Sequence, residues 1–194
     1  IYMSEGRLSF AGTTSDVIDR YLTDAVERRS VGGKDPLEFY RREKSDGSPV
    51  RITRLWIDGD WGDQLPRIES GDDFTISCEI EARRDYPKAC LAFSISNDRS
   101  ERVVTAFSMD QNFPMSLVQG KQVISCRVVG LPLSPARYTL TIGINETAQT
   151  RAFDVVVDYP LFEVAIPSVE AGELEWSHRP WGCLHWQEIE WSNT

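Results

Sequence analysis

Carboxylates are the most numerous reactive side chains in this sequence, and one run concentrates them. Asp58-Gly59-Asp60-Trp61-Gly62-Asp63 carries three acids within six residues. Oxygen-rich loops of this kind hold calcium, and carboxylates at a fixed separation cleave glycosidic bonds. Nothing in the run specifies the raised pKa that a general acid needs, so its plain reading is a solvated loop between strands. The two histidines, His178 and His185, flank Cys183 near the end of the chain. A structural zinc site wants four ligands at short spacing, and no fourth candidate is obvious beside these three, so no metal is expected. There is no glycine-rich phosphate loop, no Gly-x-Ser-x-Gly elbow and no Ser or Cys in a nucleophile setting. An enzyme is therefore not expected, and neither is a cofactor.

Aromatic residues are the better lead. Six tryptophans are many for 194 residues. The C–H face of a sugar ring stacks on an indole or phenyl ring while Ser, Thr, Asn and Asp take its hydroxyls. Trp56 is out of phase with Leu55 and Ile57 and should point outward. Trp61 sits in the acidic loop, Phe107 shares a strand with Thr105, and Phe113 follows Asn112 in a polar loop.

The elements that would position these side chains are mostly strands. After residue 50, runs of alternating apolar and polar residues recur at roughly 50–58, 73–83, 88–97, 101–109, 121–130, 137–145, 150–157, 161–166 and 183–191. Period two puts one face in a core and leaves the other wet, and short strands at this spacing predict a β-sandwich. Two outer faces then compete for a ligand. One carries Trp56 beside Thr75, Ser77 and Arg127, with Trp61 in reach. The other carries Ser94, Ser96, Thr139, Thr141 and Asn145, with Phe107 if its strand joins the same sheet. The second is preferred, because small hydroxyl side chains leave the sheet flat and both donate and accept hydrogen bonds.

The first 30 residues are of another kind. Tyr2-Met3 and Leu8-Ser9-Phe10 flank a Gly6 turn, a hairpin signature. Thr14 or Ser15 could cap a helix over about 15–29, striped by Val17, Ile18, Tyr21, Leu22 and Ala25. Residues 31–49 are polar and rich in Gly and Pro, as linkers are, with Leu37-Glu38-Phe39-Tyr40 expected as a short anchored turn within them. The expected organisation is hairpin plus helix over 1–30, linker over 31–49 and sandwich over 50–194. The tail alternates Leu184, Trp186 and Trp191, an apolar edge that should pair across a dimer.

Composition excludes several partners. Hydrophobic residues make up 41% and charged residues 26%, as in ordinary globular chains. The net charge of −9 argues against nucleic acid and against an anionic membrane surface, which both need clustered Lys and Arg. No apolar run approaches a membrane span. The chain opens at Ile1 within a strand-like pattern and reads as part of something longer. Cys78, Cys90, Cys126 and Cys183 form no CxxC pair and read as buried thiols in a reducing cytoplasm.

The order of segments is similar to a known family. Gly6-Arg7-Leu8, Gly12-Thr13 and Asp16-Val17-Ile18-Asp19-Arg20-Tyr21-Leu22 resemble the end of the ATPase domain of polysaccharide ABC exporters. Ile57-Asp58, Ser70-Gly71-Asp72, Leu91-Ala92-Phe93-Ser94-Ile95, the run from Leu131 to Leu140, Phe162-Glu163-Val164 and the stretch from Gly182 to Trp191 resemble the C-terminal domain of Wzt, the ATPase subunit of O-antigen exporters. Ala136 departs from it, standing where the family usually has Gly. The resemblance implies an immunoglobulin-like sandwich that binds lipid-linked O-antigen polysaccharide at its non-reducing end, often a capped one. It also implies a homodimer, in some members through exchanged C-terminal strands, a transmembrane exporter subunit as partner, and a cytoplasmic place against the bacterial inner membrane. ATP hydrolysis would belong to an N-terminal domain outside this chain. The alternative is a dimerisation or docking module of the exporter that touches no glycan.

Overall fold

Where apolar residues alternate, the chain is extended. In the computed structural model of this protein the described residues are 1–4, 6–14, 16–17, 20–21, 37–41, 47–59, 65–113, 115–146, 152–165 and 182–184. They fall into two units, Ile1–Phe39 and Tyr40–Thr194.

In the first unit β1 (Tyr2–Ser4) and β2 (Arg7–Phe10) form the expected antiparallel hairpin, with Gly6 at φ +77° in its turn. That conformation costs glycine nothing. Most of the helix predicted over 15–29 lies outside the described residues. Helical backbone is described at Thr14, Asp16, Val17, Arg20 and Tyr21, and the remaining residues of that span lie outside those described. The cap is one residue earlier than expected. The Asp16 amide donates to the Thr13 hydroxyl (3.3 Å) and the Thr13 amide donates back to the Asp16 carboxylate (3.1 Å), a reciprocal capping box. The Thr13 hydroxyl in turn donates to the Asp16 carboxylate (2.7 Å), and this bond, then the one from the Thr13 amide, hold the Asp16 carboxyl below its ordinary pKa.

The second unit is a β-sandwich. A 3-10 turn (Glu38–Tyr40) spans the boundary before it. One sheet orders β3 (Val50–Ile57), β5 (Phe74–Ala82) and β9 (Gly120–Val128), all antiparallel. The other orders β4 (Arg67–Ile68), β11 (Asp154–Val164), β10 (Arg137–Glu146), β6 (Tyr86–Ser96) and β7 (Arg102–Phe107), with β8 (Met115–Leu117) on the free part of β6. Apart from the two short strands β4 and β8, the first, second and fifth sandwich strands make one sheet and the remaining four the other. That is an immunoglobulin-like arrangement in which the fourth strand, β7, has joined the sheet of the third, sixth and seventh. Among the described residues no helix lies within 70–165.

The inward phases match the alternation read from sequence. Ile52, Leu55, Ile76, Cys78 and Ile80 face Phe93, Ile95, Leu140, Ile142 and Ile144, all buried. Phe74, Phe162 and Tyr138 close one end, with ring centroids 4.9 and 5.4 Å from Phe162. Burial pushes the Cys78 thiol up to about 12, so it behaves as a small apolar side chain. Sequence reading split β11 at Pro160. The strand continues because a bulge places Asp158 at φ +53° and absorbs the proline that cannot donate to the ladder. Ala136 is not among the positive-φ residues, so its Cβ costs nothing there.

Candidate functional site

Register decides which side chains share a surface. Across the β10–β6 pair, Thr139 stands opposite Ser96, Thr141 opposite Ser94, Gly143 opposite Ala92 and Asn145 opposite Cys90. Across β6–β7, Ser94 stands opposite Thr105 and Ala92 opposite Phe107. Their sequence neighbours Leu140, Ile142, Ile144, Phe93 and Ile95 fill the core, so Ser94, Ser96, Phe107, Thr139, Thr141 and Asn145 lie on one outer face. The rows Thr141–Ser94–Thr105 and Gly143–Ala92–Phe107 contain no charged side chain, and Arg102, opposite Ser96, stands at the rim. Phe107 is 44% exposed. Ser94, flanked on both sides by threonines, keeps only 6% of its surface. The Thr141 hydroxyl accepts from the Asp158 amide (3.2 Å), and the Asn145 amide donates to the Glu146 carbonyl (3.3 Å).

Beyond Phe107 the chain makes a tight loop. The Ser108 amide donates to Leu91 O (2.9 Å) and the Leu91 amide to the Ser108 hydroxyl (3.2 Å). Asp110 N donates to Phe107 O, Asn112 N to Met109 O and Phe113 N to Ser108 O, all at 3.0–3.1 Å. Asn112 takes the left-handed φ of +52°, which asparagine tolerates better than most residues. So pinned, the loop displays Met109 and Phe113, 54% and 51% exposed. Together with Pro87, Lys88, Ala89, Asn112 and Met115 they line a groove of about 510 Å³. Sequence reading noticed Phe113 but missed Met109 and the groove. No periodicity reports a surface that exists only once a loop folds back on a strand.

The opposite outer face is built differently. Trp56, Ser77 and Ser125 form one cross-strand row. The Ser77 hydroxyl donates to Asp58 (2.9 Å) and lies 2.9 Å from the Ser125 hydroxyl. The Arg54 guanidinium sits over the Trp56 ring at 5.3 Å. Lys121 pairs with Glu79 (3.0 Å) and Arg127 with Asp73 (2.7 Å). The Thr53 hydroxyl, then Lys121, hold the Glu79 carboxyl below its usual range, and Arg127 does the same for Asp73. This face spends its polar groups on one another. Trp61 lies outside the described residues.

At the β9–β10 corner the Tyr138 hydroxyl donates to Ser134 O (2.6 Å), the tyrosine corner of immunoglobulin-like sandwiches. The Ser134 amide reaches Cys183 O (3.0 Å), and Leu184 bridges to Leu133. The Asn97 amide donates to Cys183 Sγ (3.2 Å), whose thiol donates to Glu101 (3.3 Å). Leu184 is 49% exposed; Trp186 and Trp191 lie outside the described residues. Among the described residues no helix is long and apolar enough to cross a membrane.

A comparison with curated proteins found no significant match. A crystal structure of the C-terminal domain of Wzt matches with a TM-score of 0.58 at 14% identity, over 75% of this chain and 85% of that one. A β-glucuronidase from glycoside hydrolase family 2 matches with a TM-score of 0.39 at 14% identity, over 55% of this chain and 12% of that one. The profile of the Wzt C-terminal domain family matches residues 42–174. Since that match spans well over half of the chain, the chain belongs to the Wzt C-terminal domain family, whose members are parts of O-antigen exporters.

Proposed function

We propose that this domain binds the O-antigen polysaccharide that its exporter carries, and that it does so without catalysis. ATP hydrolysis is left to another part of the subunit. The observation that carries the reading is the hydroxyl-lined outer face of β10, β6 and β7, whose two central rows carry no charge and end in the exposed ring of Phe107. Ser96, Thr139, Thr141 and Asn145 are donors and acceptors of the kind that sugar hydroxyls pair with, with Ser94 beneath them keeping the surface flat. Phe107 offers the stacking plane. Trp56, with Trp61, is the second choice, because Arg54 already occupies one face of the Trp56 ring.

Titration with polysaccharide from the same source tests this. Stacking on an aromatic ring is worth about 1–2 kcal/mol by analogy with bases, so Phe107→Ala should weaken binding about tenfold with an unchanged melting temperature. Asn145→Ala should weaken it too. A polysaccharide lacking its terminal residue should bind poorly if the non-reducing end is what the face reads. Unchanged affinity in both variants moves the site to the Trp56 face.

The domain also works as a homodimer in this reading, on the cytoplasmic side of the inner membrane beside the exporter's transmembrane subunit. Leu184, half exposed where it bridges Leu133, supports a tail that continues through Trp186 and Trp191 onto a second copy.

A further inference from the structure

We infer that the groove between Met109, Phe113 and the start of β6 is a subsite for a methyl-bearing sugar, one whose ring substituent ends in CH3 where an ordinary hexose ends in a hydroxyl. The inference rests on the glycan reading of the neighbouring face and adds a chemical class to it. Pro87, Met109 and Phe113 supply the apolar walls over the buried Ala89 and Met115, and among the described residues polar side chains enter from Lys88 and Asn112. A volume of about 510 Å³ is within the range of small-ligand sites.

The groove is continuous with the hydroxyl face through one strand. Lys88 and Ser96 both lie on β6, about 26 Å apart at the rise of an extended strand. A glycan lying along β6 passes from a surface of hydroxyls to one of methyl, thioether and phenyl groups. On the hydroxyl face a sugar hydroxyl replaces its water partners. In the groove it loses water and finds few partners, whereas a methyl gains by leaving water. The loop that carries Met109 and Phe113 is held by its own backbone hydrogen bonds, so little ordering is required on binding. The thioethers adapt to the shape of whatever methyl they meet.

Two matched pairs of oligosaccharides test the subsite. Tetrasaccharides of D-rhamnose and D-mannose with one linkage differ at C6, methyl against hydroxymethyl. Chitotetraose and cellotetraose share their linkage and differ at C2, an acetamido group ending in a methyl against a hydroxyl. The chain has three methionines, so methyl-labelled methionine reports directly: Met109 and Met115 line the groove, and Met3 in the first unit is the internal reference. In one pair at least, the methyl-bearing sugar should shift Met109 and Met115, leave Met3 unmoved, and bind about tenfold tighter than its partner. The pair that discriminates tells a deoxy methyl from an acetyl methyl. Phe113→Ala should abolish the discrimination, while Phe107→Ala should weaken both members equally. Binding seen at the Thr139, Thr141 and Phe107 amides with silent groove methionines, or equal affinities within both pairs, overturns the subsite and leaves the glycan reading standing. Silence at the amides and the methionines alike overturns both.

Discussion

Tyr138 shows how a single hydroxyl organises this domain. It sits at the start of β10, fully inside, and its O–H reaches back to Ser134 O at 2.6 Å. Burial, with Cys183 and Asp98 nearby, pushes its pKa up from the ordinary value, so it stays a donor through the working pH range. Tyr138→Phe keeps the ring against Phe162 and deletes only the bond, leaving the Ser134 carbonyl short of a partner. The expected cost is about 1 kcal/mol, read as a lower urea midpoint with an unchanged slope. Phe107 belongs to the opposite case, a large side chain left outside, whose removal should be felt by a ligand and not by the fold. The Ser94 hydroxyl is intermediate. It faces outward by register yet is nearly covered by Thr141 and Thr105, and its smallness is what lets the face lie flat.

At the scale of elements, the segment before β3 is fastened to the sandwich by a buried ion pair. Arg41 pairs with Asp154 at the start of β11 and donates to Ile52 O (2.7 Å), while the Ile52 amide donates to Asp154 (2.8 Å). Arg41 also bridges to Val156, and the Tyr40 ring packs edge-on against Tyr159 at 5.3 Å. Leu37-Glu38-Phe39-Tyr40 reads as an anchored turn in the sequence, but the ion pair beside it does not show there, since a single Arg in a charged stretch carries no signal of its distant partner. Asp154→Ala leaves a buried guanidinium without its carboxylate, a change that costs about 3–5 kcal/mol; urea unfolding should show the loss in full. The tail is the other fastened element. Residues 182–184 are held at the corner of Leu133 and Ser134. If the alternating residues beyond them join two copies, light scattering of a chain ending at Pro167 should give the monomer mass. A dimeric truncated chain would put the interface elsewhere.

For the molecule as a whole, the charge stays at the edge of the proposed site. Net charge is −9, yet the central rows of the β10–β6–β7 face are uncharged, with Arg102 at their rim, and on the other face Glu79 is paired with Lys121 and Asp73 with Arg127. Coulomb forces between exposed groups fade within a Debye length, about 10 Å at 0.1 M salt. Affinity for a neutral glycan should therefore barely change between low and high salt in a titration series, and a steep salt dependence would point to a charged ligand on another surface. Period-two alternation needs only the chain's own residues, because a strand with one face in water and one in a core must alternate. So the sandwich, the inward phases of β5, β6 and β10, and the common face of Ser94, Ser96, Thr139, Thr141 and Asn145 were legible in the sequence. The β1–β2 hairpin was legible from its glycine turn for the same local reason. What remained hidden depends on contacts distant in sequence. The Arg41–Asp154 pair spans 113 positions, and the reach of β11 past Pro160 relies on a bulge against β10. The groove forms only where the loop after Phe107 folds beside the start of β6. Local periodicity determines which side of a strand is apolar, and only tertiary packing decides which surfaces then come to lie side by side.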